Sequence, residues 1–202
     1  MFKLNFVFKD VITIVDNFEF LPLNISGYKK LNGSQILKEN IFYIINSLKK
    51  EIIASEQQKT ILHIFNSRSI LDGENIENLP IGLFGDFYSH ELTFFLIGNN
   101  DLKNIKQIFN KNKLELKKVF IKNFCECIQL INENNVETFF KINIGNNNTL
   151  LSFFDQSSYK YSENFNFGTN IIIKDIAKIC SIDSEIIETF FFNNFNKNNN
   201  FH

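Results

Sequence analysis

The chain has 202 residues, with 21 basic against 22 acidic side chains and a formal net charge of −1. That balance excludes a broad electrostatic footprint for nucleic acid, which needs a basic excess. Hydrophobic residues at 44% and charged residues at 21% exclude a disordered chain and leave one or two globular domains. The bias lies within those classes: 25 Phe, no Trp, 2 Pro, a single arginine (Arg68) and two alanines (Ala54, Ala177). Asn, Ile, Lys and Phe have A/T-rich codons, so the bias reads as a mark of the genome and not of function.

No apolar run reaches the roughly 18 residues that a membrane-spanning helix needs. The N-terminus is apolar but broken by Lys3, Lys9, Asp10 and Asp16, and it reads as strand, not as a signal peptide. Cys125, Cys127 and Cys180 are sparse and odd in number, which suits reduced thiols in a cytosolic protein. Cys125-x-Cys127 lacks a second Cys or His pair at ligand spacing, so no zinc site is expected. His63, His90 and His202 are scattered and read as structural histidines.

In chain order, Val11–Val15 and Phe18–Ile25 are strand-like, and Ser26-Gly27-Tyr28 reads as a turn. Asn32 or Ser34 is a candidate cap for a helix in which Ile36, Ile41, Ile44, Ile45 and Leu48 recur at helical spacing. Ile61–Phe65 is a strand, Asp72-Gly73 a turn, and Pro80-Ile81-Gly82-Leu83-Phe84-Gly85 a loop. Glu91–Ile97 completes a strand–helix–strand–strand unit, a small α+β layer with one helix against a sheet.

Asn99-Asn100-Asp101 then caps a helix carrying Leu102, Ile105, Ile108 and Phe109. A strand at Lys117–Ile121 and a helix over about Asn123–Asn132 follow, and Asn132–Val136 reads as a polar boundary. Thr138–Ile144 is a strand. Thr149–Phe154 and Tyr159–Phe167 form a hairpin around Asp155–Ser158. Gly168-Thr169-Asn170 opens a helix to Cys180, and Ser181–Ser184 caps another that holds Ile186, Ile187 and Phe190. Phe190–Phe192 is expected to pack on the core. The Asn-rich end beyond Phe192 is expected to fray.

One segment could carry chemistry. Lys141-Ile142-Asn143-Ile144-Gly145-Asn146-Asn147-Asn148-Thr149 is a strand, a tight Gly turn and a Thr opening the next strand. Such a turn brings backbone N–H groups and a hydroxyl to a phosphate. The usual form, D-x-G-x-x-x-T, begins with an Asp that holds Mg²⁺ or a water. Asn143, standing there, is a poorer Mg²⁺ ligand, and taken alone the segment is better explained as a plain Asn/Gly hairpin turn.

The order of these elements resembles FtsA, the actin-like cell-division family of bacteria. Ile61–Ile64 with His63, then Asp72-Gly73 and the loop with Pro80, Gly82 and Gly85, is similar to that family's apolar-His strand, Asp-bearing strand and P-x-G-M-x-G loop. Asn143-Ile144-Gly145 to Thr149 is similar to its D-I-G-G-G-T phosphate turn. Phe167–Ala177, with Gly168, Thr169 and Asp175, resembles its G-G-x-x-I-T-x-D-I-A signature.

The resemblance implies a partial actin-like (ribonuclease H-like) α/β fold with an inserted strand–helix–strand–strand subdomain, termed 1C (SHS2-type). Residues 10–92 would be that interaction subdomain, 93–133 the closing part of subdomain 1A, and 136–202 the opening part of 2A with its phosphate turn. Members are about twice this length and add the rest of the nucleotide cleft, the FtsZ-binding region and a membrane-targeting helix. The implied nucleotide contacts, ATP with Mg²⁺, fall on Asn143, Gly145, Asn146, Asn147, Thr149, Gly168, Thr169 and Asp175. The departures all lie there: Asn143 for Asp, Asn146 and Asn147 for two glycines, Thr169 for the second Gly, Ile173 for the helix-entry Thr.

A scaffold with a degraded nucleotide site, and not a catalyst, is therefore expected. Its partners would be other cell-division proteins and itself, with no nucleic acid. It would be cytoplasmic and touch the inner face of the membrane only indirectly. The alternatives are a pilus-assembly actin homologue, a sugar or acetate kinase-like ATPase domain, and a gene fragment. Asp175 could equally be a first-turn charge that complements its helix dipole.

Overall fold

The computed structural model describes residues 8–16, 18–134 and 136–198, a mixed α/β chain with nine strands and five helices among them. It divides into two compact units, one of residues 1–139 with 153–161 and the other of residues 140–152 with 162–202.

In the first unit, four strands form an antiparallel sheet in the order β2-β5-β3-β4: β2 (Phe20–Lys30), β3 (Lys59–Leu71), β4 (Glu74–Ile76) and β5 (Phe87–Gly98). Helix α1 (Lys38–Ser55) packs on one face through Ile41, Ile44, Leu48 and Ile52, the three-and-four spacing that places side chains on one stripe. They meet Tyr88, Leu92, Phe94 and Leu96 of β5. Phe95 and Ile97 point to the other face of β5 and belong to two further clusters, so this strand is buried on both sides. That explains its unbroken apolar run.

Ser26-Gly27-Tyr28 is not a turn. β2 continues through it to Lys30, paired with β5 throughout. A Cβ at Gly27 would lie 2.6 Å from Cγ2 of Ile44, so this glycine lets α1 approach the sheet. The turn lies later, at Asn32 and Gly33, both with positive φ. Neither Asn32 nor Ser34 caps α1. Leu37 occupies that position, and its N–H donates to Oδ1 of Asn40 at 2.7 Å.

β1 (Asp10–Val15) lies outside that sheet and pairs in parallel with β6 (Glu115–Ile121). The strands that lie between them in sequence form the four-stranded sheet. Helices α2 (Asn99–Lys111) and α3 (Lys122–Asn134) flank β6. Asn99, Asn100 and Asp101 form the first turn of α2 instead of preceding it, with Gly98 as its cap residue. Asn132–Asn134 are helical, so the polar bend expected there begins later. Cys127 is fully buried beside Phe95 and Ile121 in the core under α3.

The last three strands, β7 (Phe139–Ile144), β8 (Thr149–Asp155) and β9 (Ser158–Phe165), are ordered 7-8-9. The β8–β9 turn has Gln156 and Ser157 both at positive φ, the conformation that twists a two-residue hairpin correctly. Phe154 and Tyr159, beside this turn, belong to the first unit's core. The second unit contains the opposite ends of these strands with α4 (Thr169–Cys180) and α5 (Ser184–Asn198). Helix α5 carries the Asn-rich end as far as Asn198, where fraying was expected beyond Phe192. Phe190 and Phe191 are exposed, not packed on a core. Asp183 starts α5, its carboxylate accepting the N–H of Glu185 at 3.0 Å.

Candidate functional site

The β7–β8 turn and the start of α4 form one compact structure inside the second unit. Gly145 donates its N–H to the carbonyl of Asn148 at 2.8 Å and so closes the turn. The carbonyls of Gly145 and Asn146 then each accept a backbone N–H, from Thr169 and Asn170, at 3.0 Å. Those two N–H groups are in the first turn of α4, where an anion would otherwise bind. Side chains repeat the link: Nδ2 of Asn170 donates to Oδ1 of Asn147 at 2.8 Å, and Oγ1 of Thr169 reaches Oδ1 of Asn146 at 3.5 Å.

Thr149 is 4% exposed and its hydroxyl donates to the carbonyl of Phe167 at 2.8 Å. The hydroxyl that a phosphate turn offers its ligand is thus engaged within the protein. Asn143 is exposed at the end of β7. Asp175 lies in the second turn of α4, not the first, so the helix-dipole account of it does not hold. Of the eight residues in question, Gly145, Asn146, Asn147, Gly168 and Thr169 come together, with Thr149 alongside. Asn143 and Asp175 are not joined to them by a hydrogen bond among the described residues.

These residues do not fit a magnesium-bound phosphate. The turn presents amide oxygens where Mg²⁺ prefers carboxylate, and the helix-start N–H groups already face carbonyls.

The fit of Gly168 is dictated by packing. A Cβ there would run into the carbonyl oxygen of Gly145 and lie 2.6 Å from that of Asn146. Both obstacles are backbone, so nothing yields cheaply. Gly168→Ala should destabilise the second unit by about 1–3 kcal/mol. Hydrogen exchange at Thr169 and Asn170 should accelerate in the variant, and unchanged protection would refute the packing account.

The second group of candidates, in the first unit, proves to be a brace. Asp72, at positive φ, accepts the N–H of Asp86 (2.9 Å) and of Phe87 (2.7 Å) on Oδ1. Gly85 lies against Leu71 and within 2.8 Å of Oδ2 of Asp72, were it to carry a Cβ. Gly82, also at positive φ, donates to the carbonyl of Ile36 at 2.9 Å, and its own carbonyl accepts Nε2 of Gln35 at 2.8 Å. Ile36 in turn donates to Leu83 at 2.8 Å. The Pro80–Gly85 loop is thereby fastened to the segment entering α1.

His63 is not part of this brace. It lies on β3 stacked on Phe120 at 5.6 Å and held to the backbone of Val119, and burial lowers its pKa. What the motif reading missed is the outcome of the bracing. Ile81, Leu83 and Phe84 are held outward, Phe84 70% exposed, beside a stacked Tyr28–Phe87 pair at 5.2 Å. The fastened loop thus displays three apolar side chains to solvent.

No family model matches the chain, and no curated protein matches it. Solved structures do match in fold. A chain of a PilM-PilN type IV pilus biogenesis complex is similar over 90% of this chain and 50% of its own, with a TM-score of 0.56 and 11% identity. The present chain therefore spans about half the length of that neighbour. The likeness is one of fold alone. No helix among the described residues is long and apolar enough to cross a membrane.

Proposed function

We propose that this chain is an actin-like assembly protein of type IV pilus biogenesis that acts by binding a protein partner, not by catalysis. The observation that carries the reading is the braced Pro80–Gly85 loop with its outward Ile81, Leu83 and Phe84. The fold likeness to a component of a two-protein pilus complex supports it. The four-stranded sheet with α1 is then the inserted interaction subdomain, of the 1C type, and pilus proteins or a second copy are its partners. Contact with the inner face of the cell membrane is indirect, through those partners.

The cell-division reading is retained as the second one because the three stretches that resemble FtsA support it. The two separate by phenotype. Deleting the gene removes surface pili under the first reading and yields filamentous cells under the second. Cross-linking the intact protein in its own cells, followed by mass spectrometry, identifies the partner. Phe84→Ser should abolish the cross-link while leaving the melting temperature unchanged, since the side chain has little to lose on unfolding. An unaltered cross-link would exclude the loop.

Nucleotide has no place in this proposal. A fluorescent ATP analogue should show no saturable binding with Mg²⁺ present. Micromolar binding that disappears on Gly145→Asp would overturn this.

A further inference from the structure

A cavity of about 420 Å³ lies within the first unit between the sheet, on β2, β3 and β5, and the hairpin end of β8 and β9. Its charges are of both signs. Glu91 of β5 and Asp155 of β8 supply carboxylates, and Lys160 of β9 supplies an ammonium. Arg68, the only arginine of the chain, stands behind Glu91 at 3.8 Å.

The hydroxyl floor is fixed. Oγ of Ser67 lies 2.9 Å from Oγ1 of Thr93, whose hydroxyl donates to Oδ1 of Asn24 at 2.7 Å; Ser67 is 7% and Thr93 0% exposed. Nδ2 of Asn24 then donates to the carbonyl of Lys160 at 3.1 Å, which fixes the hairpin strand at this point. Phe153 supplies the apolar side, while Ile25 and Leu92 border the cavity with backbone only, their side chains being turned to the α1 face.

Glu91 is paired with Arg68, whereas Asp155 and Lys160 are not closed on each other. Asp155 receives the hydroxyl of Thr138 at 3.2 Å, and the half-buried ammonium of Lys160 makes no ion pair or hydrogen bond among the described residues. A half-buried cation and carboxylate that serve only stability would close on each other, because an unpaired charge away from water is costly. Here both face one space and stay apart. A lone anion would satisfy Lys160 and repel Glu91 and Asp155, and a lone cation would do the reverse. A ligand carrying both charges satisfies all of them.

We propose that this cavity binds a small zwitterion, an α-amino acid with an apolar side chain or a dipeptide of such residues. Its carboxylate lies on Lys160, its ammonium between Asp155 and Glu91, and its side chain on Phe153. The site is independent of the assembly reading. Burial lowers the pKa of Lys160, which marks an ammonium partly stripped of water and ready for a carboxylate.

The test is titration of the full chain, followed by NMR of its backbone amides, with L-leucine, leucyl-leucine, N-acetyl-leucine and leucine amide. One or both zwitterions should shift Ser67, Glu91 and Lys160 saturably. The acetyl and amide forms, each lacking one charge, should bind at least ~10-fold more weakly. Lys160→Met should remove the advantage of the free acid over the amide. Two results would refute the proposal: no saturable shift with either zwitterion, or equal binding by all four compounds. Should Lys160→Met fail to fold, the four-compound series on the natural chain decides by itself.

Discussion

Phe95→Ala is expected to lower the unfolding free energy of the first unit by about 3–5 kcal/mol, the range for truncating a fully buried aromatic. Phe95 is 1% exposed and central to an aromatic chain. Its ring stacks on Tyr159 at 4.3 Å and meets the edge of Phe65 at 5.6 Å; Phe65 contacts Phe124 at 4.4 Å, and Tyr159 stacks on Phe154 at 4.6 Å. Removing this ring leaves a cavity and deprives two neighbours of their partner. The cost should exceed that of Phe95→Leu, which keeps most of the volume and should lose less than about 1.5 kcal/mol. Urea titration with an unchanged m-value is the measurement. A loss below ~1 kcal/mol for the alanine variant would mean that the hairpin end is not part of this core.

Stability of the same unit should fall by about 3 kcal/mol as the pH drops from 6.5 to 4. His90 is 2% exposed on the α1 face of β5, with Nε2 2.7 Å from Oδ1 of Asn66 and Nδ1 buried without a partner. Burial lowers its pKa from 6.5 to about 4. The folded chain refuses a proton that the unfolded chain accepts throughout that interval. The contribution of His90 is therefore full above 6.5 and declines as the pH falls through the window to 4, at about 1.4 kcal/mol per pH unit at the steepest. His63, also lowered by burial, adds in the same direction. His90→Gln should flatten the curve by close to one proton. An imidazole of His90 that titrates near 6.5 by NMR would sink this account.

Much of the fold could be read from the chain. Apolar residues at three-and-four spacing marked α1, because one face of that helix meets the sheet and the rest meets water. The apolar run in β5 marked a strand, and the structure showed it to be buried on both faces. Gln156-Ser157, without glycine, still lay between two alternating segments that had to pair. The errors share a cause. Gly27 reads as turn punctuation, yet its bare Cα serves α1, which is seventeen residues away at Ile44. Asn32 and Ser34 look like caps, but backbone bonds to residues 85 and 86 hold that segment and shift the helix start to Leu37. The Asn-rich end has weak helix propensity, yet α5 continues through it to Asn198.

The candidate phosphate turn divides in the same manner. Its Gly, Asn and Thr residues could be found by spacing. That Gly145 and Asn146 turn their carbonyls to the start of α4, and that Thr149 bonds to Phe167, could not, because the partners are about twenty residues further on and are brought near only by the hairpin.

By itself the sequence determined the element types, the α/β class, the exclusion of a nucleic-acid footprint and the residues to suspect. Those follow from local periodicity and from charge, which depend on near neighbours and on sums. Only the tertiary structure decided which suspects meet. It turned the Pro80–Gly85 motif into a brace that holds Phe84 outward, occupied the helix start with carbonyls, and faced Lys160 with Asp155 and Glu91 around one cavity. These outcomes depend on contacts between residues tens of positions apart, and no local pattern encodes which distant groups will share a space.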